Sequence, residues 1–216
     1  MAKRHSSAKE VAKRMVENGC WIDHARIEEK DFDWLNGAGR LTLWNVRIPD
    51  GFLARLENLW WLDIRGGSAN DLDAVRGSAG LKYLAVSHVR GLSNLTILPE
   101  MQELQYLSLY ALPKITTLPS LKTLSKLERT MVGQMKGLDS LGGMLDAPSL
   151  KDIQLVKRVN VTEQDIENIK SHKTIESFTW DPCDVPVKMR KHVVEQIDLP
   201  ELPFRHPENW FGIPVY

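Results

Sequence analysis

At 216 residues, with 43% apolar residues and 28 acidic side chains balanced by 28 Lys and Arg, the chain has room for one domain or two small ones and is too apolar for general disorder. Its formal net charge of zero argues against a globally basic nucleic-acid binder and against long-range steering of a charged ligand. Neither the basic opening MAKRHSSAKEVAKRMVENG nor any later segment has the apolar run of a signal peptide or membrane span, so the expected location is cytoplasmic.

Residues 1–19 read as an N-terminal helical cap. Val11, Met15 and Val16 are spaced for one apolar face over Ser7–Glu17, and Gly19 is placed to end the helix. Met1–His5 is a basic tail ahead of it.

From there to residue 181 the chain repeats. LWWLDI (Leu59–Ile64) carries apolar residues at its first, fourth and sixth places, as do LKYLAV (Leu81–Val86), LQYLSL (Leu104–Leu109), LKDIQL (Leu150–Leu155) and IESFTW (Ile175–Trp180). LERTMV (Leu127–Val132) belongs to the same series, AGRLTL (Ala38–Leu43) upstream fits less well, and ENGCWI (Glu17–Ile22) fits only at its last two apolar places. The starts are 21, 21, 22, 23, 23, 23 and 25 residues apart. Such a period predicts a solenoid of about seven to eight coils over residues 20–181, each a short strand and a return arm that bury their apolar sides only by stacking.

Side chains alternate along a strand, so the fourth and sixth places point inward: Leu62 and Ile64, Leu84 and Val86, Leu107 and Leu109, Ile153 and Leu155, Phe178 and Trp180. Thr130 is the polar exception; either its hydroxyl finds a nearby carbonyl or the unit is irregular. Among the return arms, Leu112, Ile115, Leu118, Leu121 and Leu124 recur every third residue, as extended or tightly turned chain does, whereas Thr162 and Asp165 ahead of Ile166 and Ile169 read as a capped short helix. Cys20 and Cys183 fall in the first and last units. Seven strand steps place them roughly 30 Å apart, beyond disulfide reach, so they read as reduced thiols. Residues 182–216 break the period as a C-terminal cap. Val187, Val193, Val194 and Ile197 suggest a helix, followed by the Pro-rich LPELPFRHPENWFGIPVY running along the last coil. Whether that tail also covers the concave face is left open.

The repeated strings resemble the leucine-rich repeat family, in its short-repeat form of internalin-like or phosphatase-regulator-like type. The resemblance spans about Glu17–Asp181 and implies an α/β solenoid: a horseshoe with a concave parallel sheet, a turn-rich or short-helical convex side, and a usual role in binding proteins. The family's ninth-place Asn is missing; Val46, Gly67, Val89, Leu112, Met135 and Arg158 stand there. Without that side-chain ladder, apolar contact is expected to hold the turns together in a less regular coil.

The period also gives the outward places. Six of the eleven Trp and Tyr residues fall on them, and Trp61, Tyr83 and Tyr106 share one column on successive strands. These rings either pack on one another to stabilise the sheet or serve as interface anchors, the role in which Trp, Tyr and Arg dominate. On the second reading the protein-binding residues are Trp44, Trp61, Asp63, Arg65, Tyr83, Tyr106, Tyr110, Arg129 and Asp152, with the arginines available to orient carboxylates. Base stacking on the rings is disfavoured by the lack of a basic groove.

No catalytic, cofactor or metal site is expected. The six His and two Cys lack metal-ligand spacing. Ser87 and His88 are adjacent in one strand and point apart, and Gly66–Gly67 lacks the lysine of a phosphate loop. The sequence therefore points to a non-enzymatic binding module, monomeric when unbound, that grips one protein partner as an inhibitor, immunity-type antidote or adaptor. The alternatives are a structural subunit of a larger complex and a hydrolase using Asp63, His88 or Asp152.

Overall fold

The computed structural model describes residues 6–181 and 183–213. The basic tail at 1–5, Pro182 and the last three residues of the expected C-terminal cap lie outside the described residues.

The chain opens with β1 (Ser6–Ser7), one turn of helix α1 (Ala8–Val11), β2 (Lys13–Met15), β3 (Gly19–Asp23) and β4 (Ala25–Arg26). The helix expected over 7–17 is not formed beyond that turn. Glu17 and Asn18 take positive φ of 56° and 53°, closing the tight turn between Met15 and Gly19 with Gly19 N–H donating to Val16 O at 3.1 Å. This hairpin pairs β2 antiparallel to β3, which satisfies the backbone groups of an otherwise open sheet edge. Met15 and Val16, the expected apolar face, stay 37% and 45% exposed.

After α2 (Phe32–Leu35) the repeats follow as β5 (Arg40–Trp44), β6 (Trp61–Arg65), β7 (Tyr83–Ser87), β8 (Tyr106–Tyr110), β9 (Arg129–Met135), β10 (Asp152–Val159) and β11 (Ser177–Asp181). Among the described residues they join β2 and β3 in one nine-stranded sheet, parallel from β3 to β11 in chain order. The register keeps equivalent places in line, Arg40↔Trp61↔Tyr83↔Tyr106↔Arg129↔Asp152↔Ser177. Behind the sheet, short 3-10 turns and the helices α3 (Gly142–Leu145) and α4 (Glu163–Ser171) form the return arms. The predicted cap of α4 is present: Thr162 Oγ1 accepts from Asp165 N–H at 3.1 Å and Asp165 Oδ2 accepts from Thr162 N–H at 2.9 Å.

The inward residues form one continuous core; Leu62, Leu84, Val86, Ile153 and Trp180 are fully buried. Ile64 is only half-buried, because the arm that follows it, GGSAN, supplies little side-chain volume to cover it.

The missing Asn ladder has a backbone substitute. His24, Asn45, Gly66, His88, Ala111, Gln134 and Lys157, each at the eighth place of its unit, adopt φ of 49–66°. The N–H groups of His24, Asn45, Gly66, His88 and Ala111 donate to carbonyls of the next strand at 2.6–3.1 Å. A left-handed residue at each corner thus turns the chain while extending the ladder by one bond, and ninth-place Val89, Leu112 and Met135 are buried as apolar contacts. Most of these corners are not glycine, so they carry a cost of roughly 1–2 kcal/mol each that stacking offsets.

Thr130 is fully buried in a regular stretch of β9, and its hydroxyl has no hydrogen-bond partner among the described residues. A buried, unpaired hydroxyl costs about 1–3 kcal/mol. Thr130→Val keeps the shape and removes the cost, so it is expected to raise stability by about 1 kcal/mol, seen as a higher urea midpoint at unchanged slope. A lower midpoint would show that the hydroxyl has a partner in solution.

α5 (Val187–Ile197) closes the far end of the solenoid and stops at Asp198, which is left-handed at φ 52°. The chain then runs along β11, where Phe178 N–H donates to Pro200 O at 3.1 Å and Leu202 N–H donates to Thr179 Oγ1 at 2.9 Å. It does not end there. It crosses onto the concave face and forms the single turn α6 (Pro207–Trp210) followed by Phe211–Ile213.

Candidate protein-binding face

The concave face carries three columns of side chains, and the C-terminal crossing divides it. The first column contains Trp61, Tyr83 and Tyr106, expected as exposed anchors; they are 3%, 4% and 1% exposed. Trp61 and Tyr83 stack at 3.6 Å between centroids, 15° from parallel, and Tyr83 meets Tyr106 at 5.2 Å. Phe211 packs edge-on against Trp61 and Tyr83, Trp60 closes one side, and Ile213 joins the same cluster. Of the two readings of this column, mutual packing and interface anchoring, the rings take the first, and the tail closes over them. The strand pattern placed the rings on the right face but could not show that the tail returns to cover them.

Charges flank the cluster. Arg40 Nη2 lies 3.5 Å from Glu208 Oε1, with its guanidinium over the Trp61 ring at 4.6 Å. Arg129 Nη2 pairs with Asp152 Oδ2 at 2.6 Å beneath Trp210, whose ring centroid is 4.2 Å from the guanidinium. Ser177 Oγ donates to Asp152 Oδ1 at 2.8 Å. Arg129 and Asp152, also expected as partner-binding residues, are thus 1% and 3% exposed and engaged internally. Burial pushes the Tyr106 phenol up to about 12, with Arg129 opposing the shift. It also pushes Tyr83 well above its ordinary value, reinforced by Asp63.

The second and third columns remain partly open. Asp63, 5% exposed, accepts two hydrogen bonds from Arg65 at 2.6 and 2.9 Å. Burial raises its carboxyl above the usual carboxylate range against the opposing pull of Arg65. Trp44 is 43% exposed and lies 6.0 Å from Trp21, over which the Arg65 guanidinium sits at 5.0 Å. Tyr110 is half-buried, donating its hydroxyl to Gln134 Oε1 at 2.8 Å. These side chains border a groove of about 580 Å³ floored by Ala85, Ser108 and Met131.

Of the nine residues expected to bind a partner, the structure brings Trp44, Asp63, Arg65 and Tyr110 to the open groove, with one edge of Tyr83 reaching it; Trp61, Tyr106, Arg129 and Asp152 lie in the covered column. Sequence reasoning missed Gly133. A Cβ there would stand 2.6 Å from Tyr110 Cδ2, so glycine is what lets the ring lie across β9. Its signal was a glycine inside a strand, which marks close approach. Also missed were Arg40 as a pinning group and Glu208, Trp210 and Phe211 as its cover.

Ser87 and His88 are not joined by a side-chain hydrogen bond among the described residues, and His88 faces Tyr110 at 5.3 Å. Among the described residues no group of three or more His, Cys, Asp or Glu could hold a metal ion. Both cysteines are free, Cys20 buried and Cys183 exposed. No helix among the described residues is long and apolar enough to cross a membrane.

No family model matches the chain, and no curated protein does. Among solved structures, an internalin from Listeria monocytogenes is similar at 14% identity over 86% of this chain and 73% of that one, with a TM-score of 0.33. The class is defined by the strand register itself: an α/β solenoid of short helices and turns behind a mostly parallel open sheet, consistent with a leucine-rich-repeat-like horseshoe.

Proposed function

We propose that this chain is a non-catalytic protein-interaction scaffold that binds one protein partner through the open part of its concave face and acts by occupying it, as an inhibitor, antidote or adaptor does. One observation carries the reading: Trp44, 43% exposed, stands with Arg65 and Tyr110 around the 580 Å³ groove on a sheet whose strands are fixed on both sides. Rigid Trp, Tyr and Arg side chains around a concavity are the usual anchors of protein interfaces, and a scaffold-borne site keeps them pre-ordered.

The test is affinity capture from the native host with the intact chain and with Trp44→Ala/Tyr110→Ala. Both side chains are partly exposed, so the variant is expected to stay folded with a modestly lower melting temperature, the Tyr110–Gln134 hydrogen bond being lost. Each anchor is expected to contribute about 2 kcal/mol, roughly thirtyfold in Kd. A partner held equally by both proteins would sink this placement of the interface.

A further inference from the structure

The segment Pro207–Ile213, PENWFGI, contacts the sheet as a bound peptide would. Glu208 meets Arg40 at 3.5 Å, Trp210 lies over the Arg129 guanidinium at 4.2 Å, Phe211 sits 5.7 Å from the Trp61 ring, and Ile213 is 6% exposed. Its link to the last coil buries little: Phe204 is 58% exposed, and Arg205 and His206 are exposed beside it. Trp210 and Phe211 themselves are only partly buried while covering rings that are 1–4% exposed. With an exposed link and only Ile213 buried among its own side chains, the segment has the few buried contacts of a region that opens locally before the core does.

The covered surface also has unused binding capacity. Nε and Nη1 of Arg129, 1% exposed, and Nε of Arg40, 4% exposed, have no hydrogen-bond acceptor among the described residues; of the buried acceptors beside them, Asp152 Oδ2 is held by the ion pair with Arg129 Nη2 and Gln154 Oε1 has no donor among the described residues. The segment supplies one carboxylate in contact with the face, Glu208, and that goes to Arg40. Buried guanidinium donors left empty favour a ligand with more carboxylate than the segment brings.

We propose that Pro207–Ile213 is a displaceable self-ligand, and that the column beneath it binds an acidic, aromatic peptide segment of the partner protein. The recognised pattern is a carboxylate two and three residues ahead of a pair of aromatic rings, as Glu208 stands to Trp210 and Phe211. This rests on the reading of the concave face as a protein-binding surface. The covering segment competes from within the same chain at an effective concentration on the order of millimolar. A partner therefore gains its first hold at the open groove of Trp44 and Tyr110 and then replaces the segment on the adjoining column.

The experiment uses full-length protein and a fluorescent synthetic peptide, PENWFGI. It is titrated into the intact chain and into Glu208→Ala/Phe211→Ala, whose folding is checked by its thermal melt. The variant is expected to bind the peptide at least about tenfold more tightly than the intact chain does, and a peptide carrying Glu208→Gln is expected to bind several-fold more weakly. Equal binding by the two proteins, or none by the folded variant at about millimolar peptide, overturns the proposal. A second readout needs no variant. In the intact chain, the amides of Phe211, Gly212 and Ile213, all hydrogen-bonded within the segment, are expected to exchange roughly a hundredfold faster than those of β9 and β10. Exchange of both sets at one rate would make the segment part of the core and overturn the proposal equally. The titration reads the covered column alone, so its failure is distinguishable from failure of the capture experiment at Trp44 and Tyr110.

Discussion

Replacing Asp152 with alanine is expected to destabilise the protein by about 3–5 kcal/mol, because it leaves the Arg129 cation buried without its counter-ion. The pair is closed to water on every side the structure describes. Its side chains are 2% and 4% exposed with 2.6 Å between Nη2 and Oδ2, Ser177 holds the second carboxylate oxygen, and Trp210 lies across the guanidinium. Two carboxylate interactions vanish together in Asp152→Ala, and the Arg129 Nε and Nη1 donors already have no acceptor among the described residues. Arg129→Met/Asp152→Leu is expected to recover most of the loss, since removing both charges removes the desolvation cost together with the attraction. Urea denaturation of the two variants measures the difference directly. A loss below about 1 kcal/mol for Asp152→Ala, the range of solvent-exposed pairs, would mean that water reaches Arg129 and that the C-terminal segment is not seated over it in solution.

The parts of this fold legible in the sequence are those set by local period. The spacing of Leu62, Leu84, Leu107 and Ile153 fixed both the strands and the side of the sheet facing the core, and the structure buries all four. The Thr162 to Asp165 cap was readable for the same reason, since both residues lie within one turn of α4. What local period cannot reveal is where a non-repeating segment lies. PENWFGI has no partner near it in sequence; Glu208 meets Arg40, and Phe211 meets Trp61 and Tyr83, only because the tail leaves β11 and crosses back over the sheet toward its first strands. The N-terminal helix failed differently. Val11, Met15 and Val16 satisfy a helical period, but the edge of β3 gains more from a paired strand than from a helix laid beside it, and the Glu17–Asn18 turn permits that pairing. The left-handed corners were hidden because their side chains are of six types, so the common feature is a backbone angle with no residue signature.

Trp61→Ala and Trp44→Ala should behave as two different kinds of substitution, although both tryptophans stand at outward places of neighbouring strands. Trp61 is 3% exposed, stacked on Tyr83, faced by Phe211 and covered on another side by Arg40; its removal is expected to cost about 3–5 kcal/mol. Trp44, 43% exposed, is expected to change stability by no more than about 0.5 kcal/mol while weakening partner capture. A tyrosine titration separates loosening of the covered column from general damage. In the intact protein the Tyr106 phenol is raised by burial from 10.0 to about 12, so the folded state holds its proton more tightly than the unfolded state. The stability this contributes is fully present below pH 10 and lost as the pH rises through about 12. Trp61→Ala opens the column to water, so the Tyr106 phenol is expected to move back toward 10.0 and the alkaline loss of stability to flatten, read from tyrosinate absorbance and from melts across that range. Trp44→Ala should leave both unchanged. If Trp61→Ala left the phenol near 12, Tyr106 would be shielded by Tyr83 and the C-terminal segment without help from Trp61, and the loosening at Trp61 would not extend along the column.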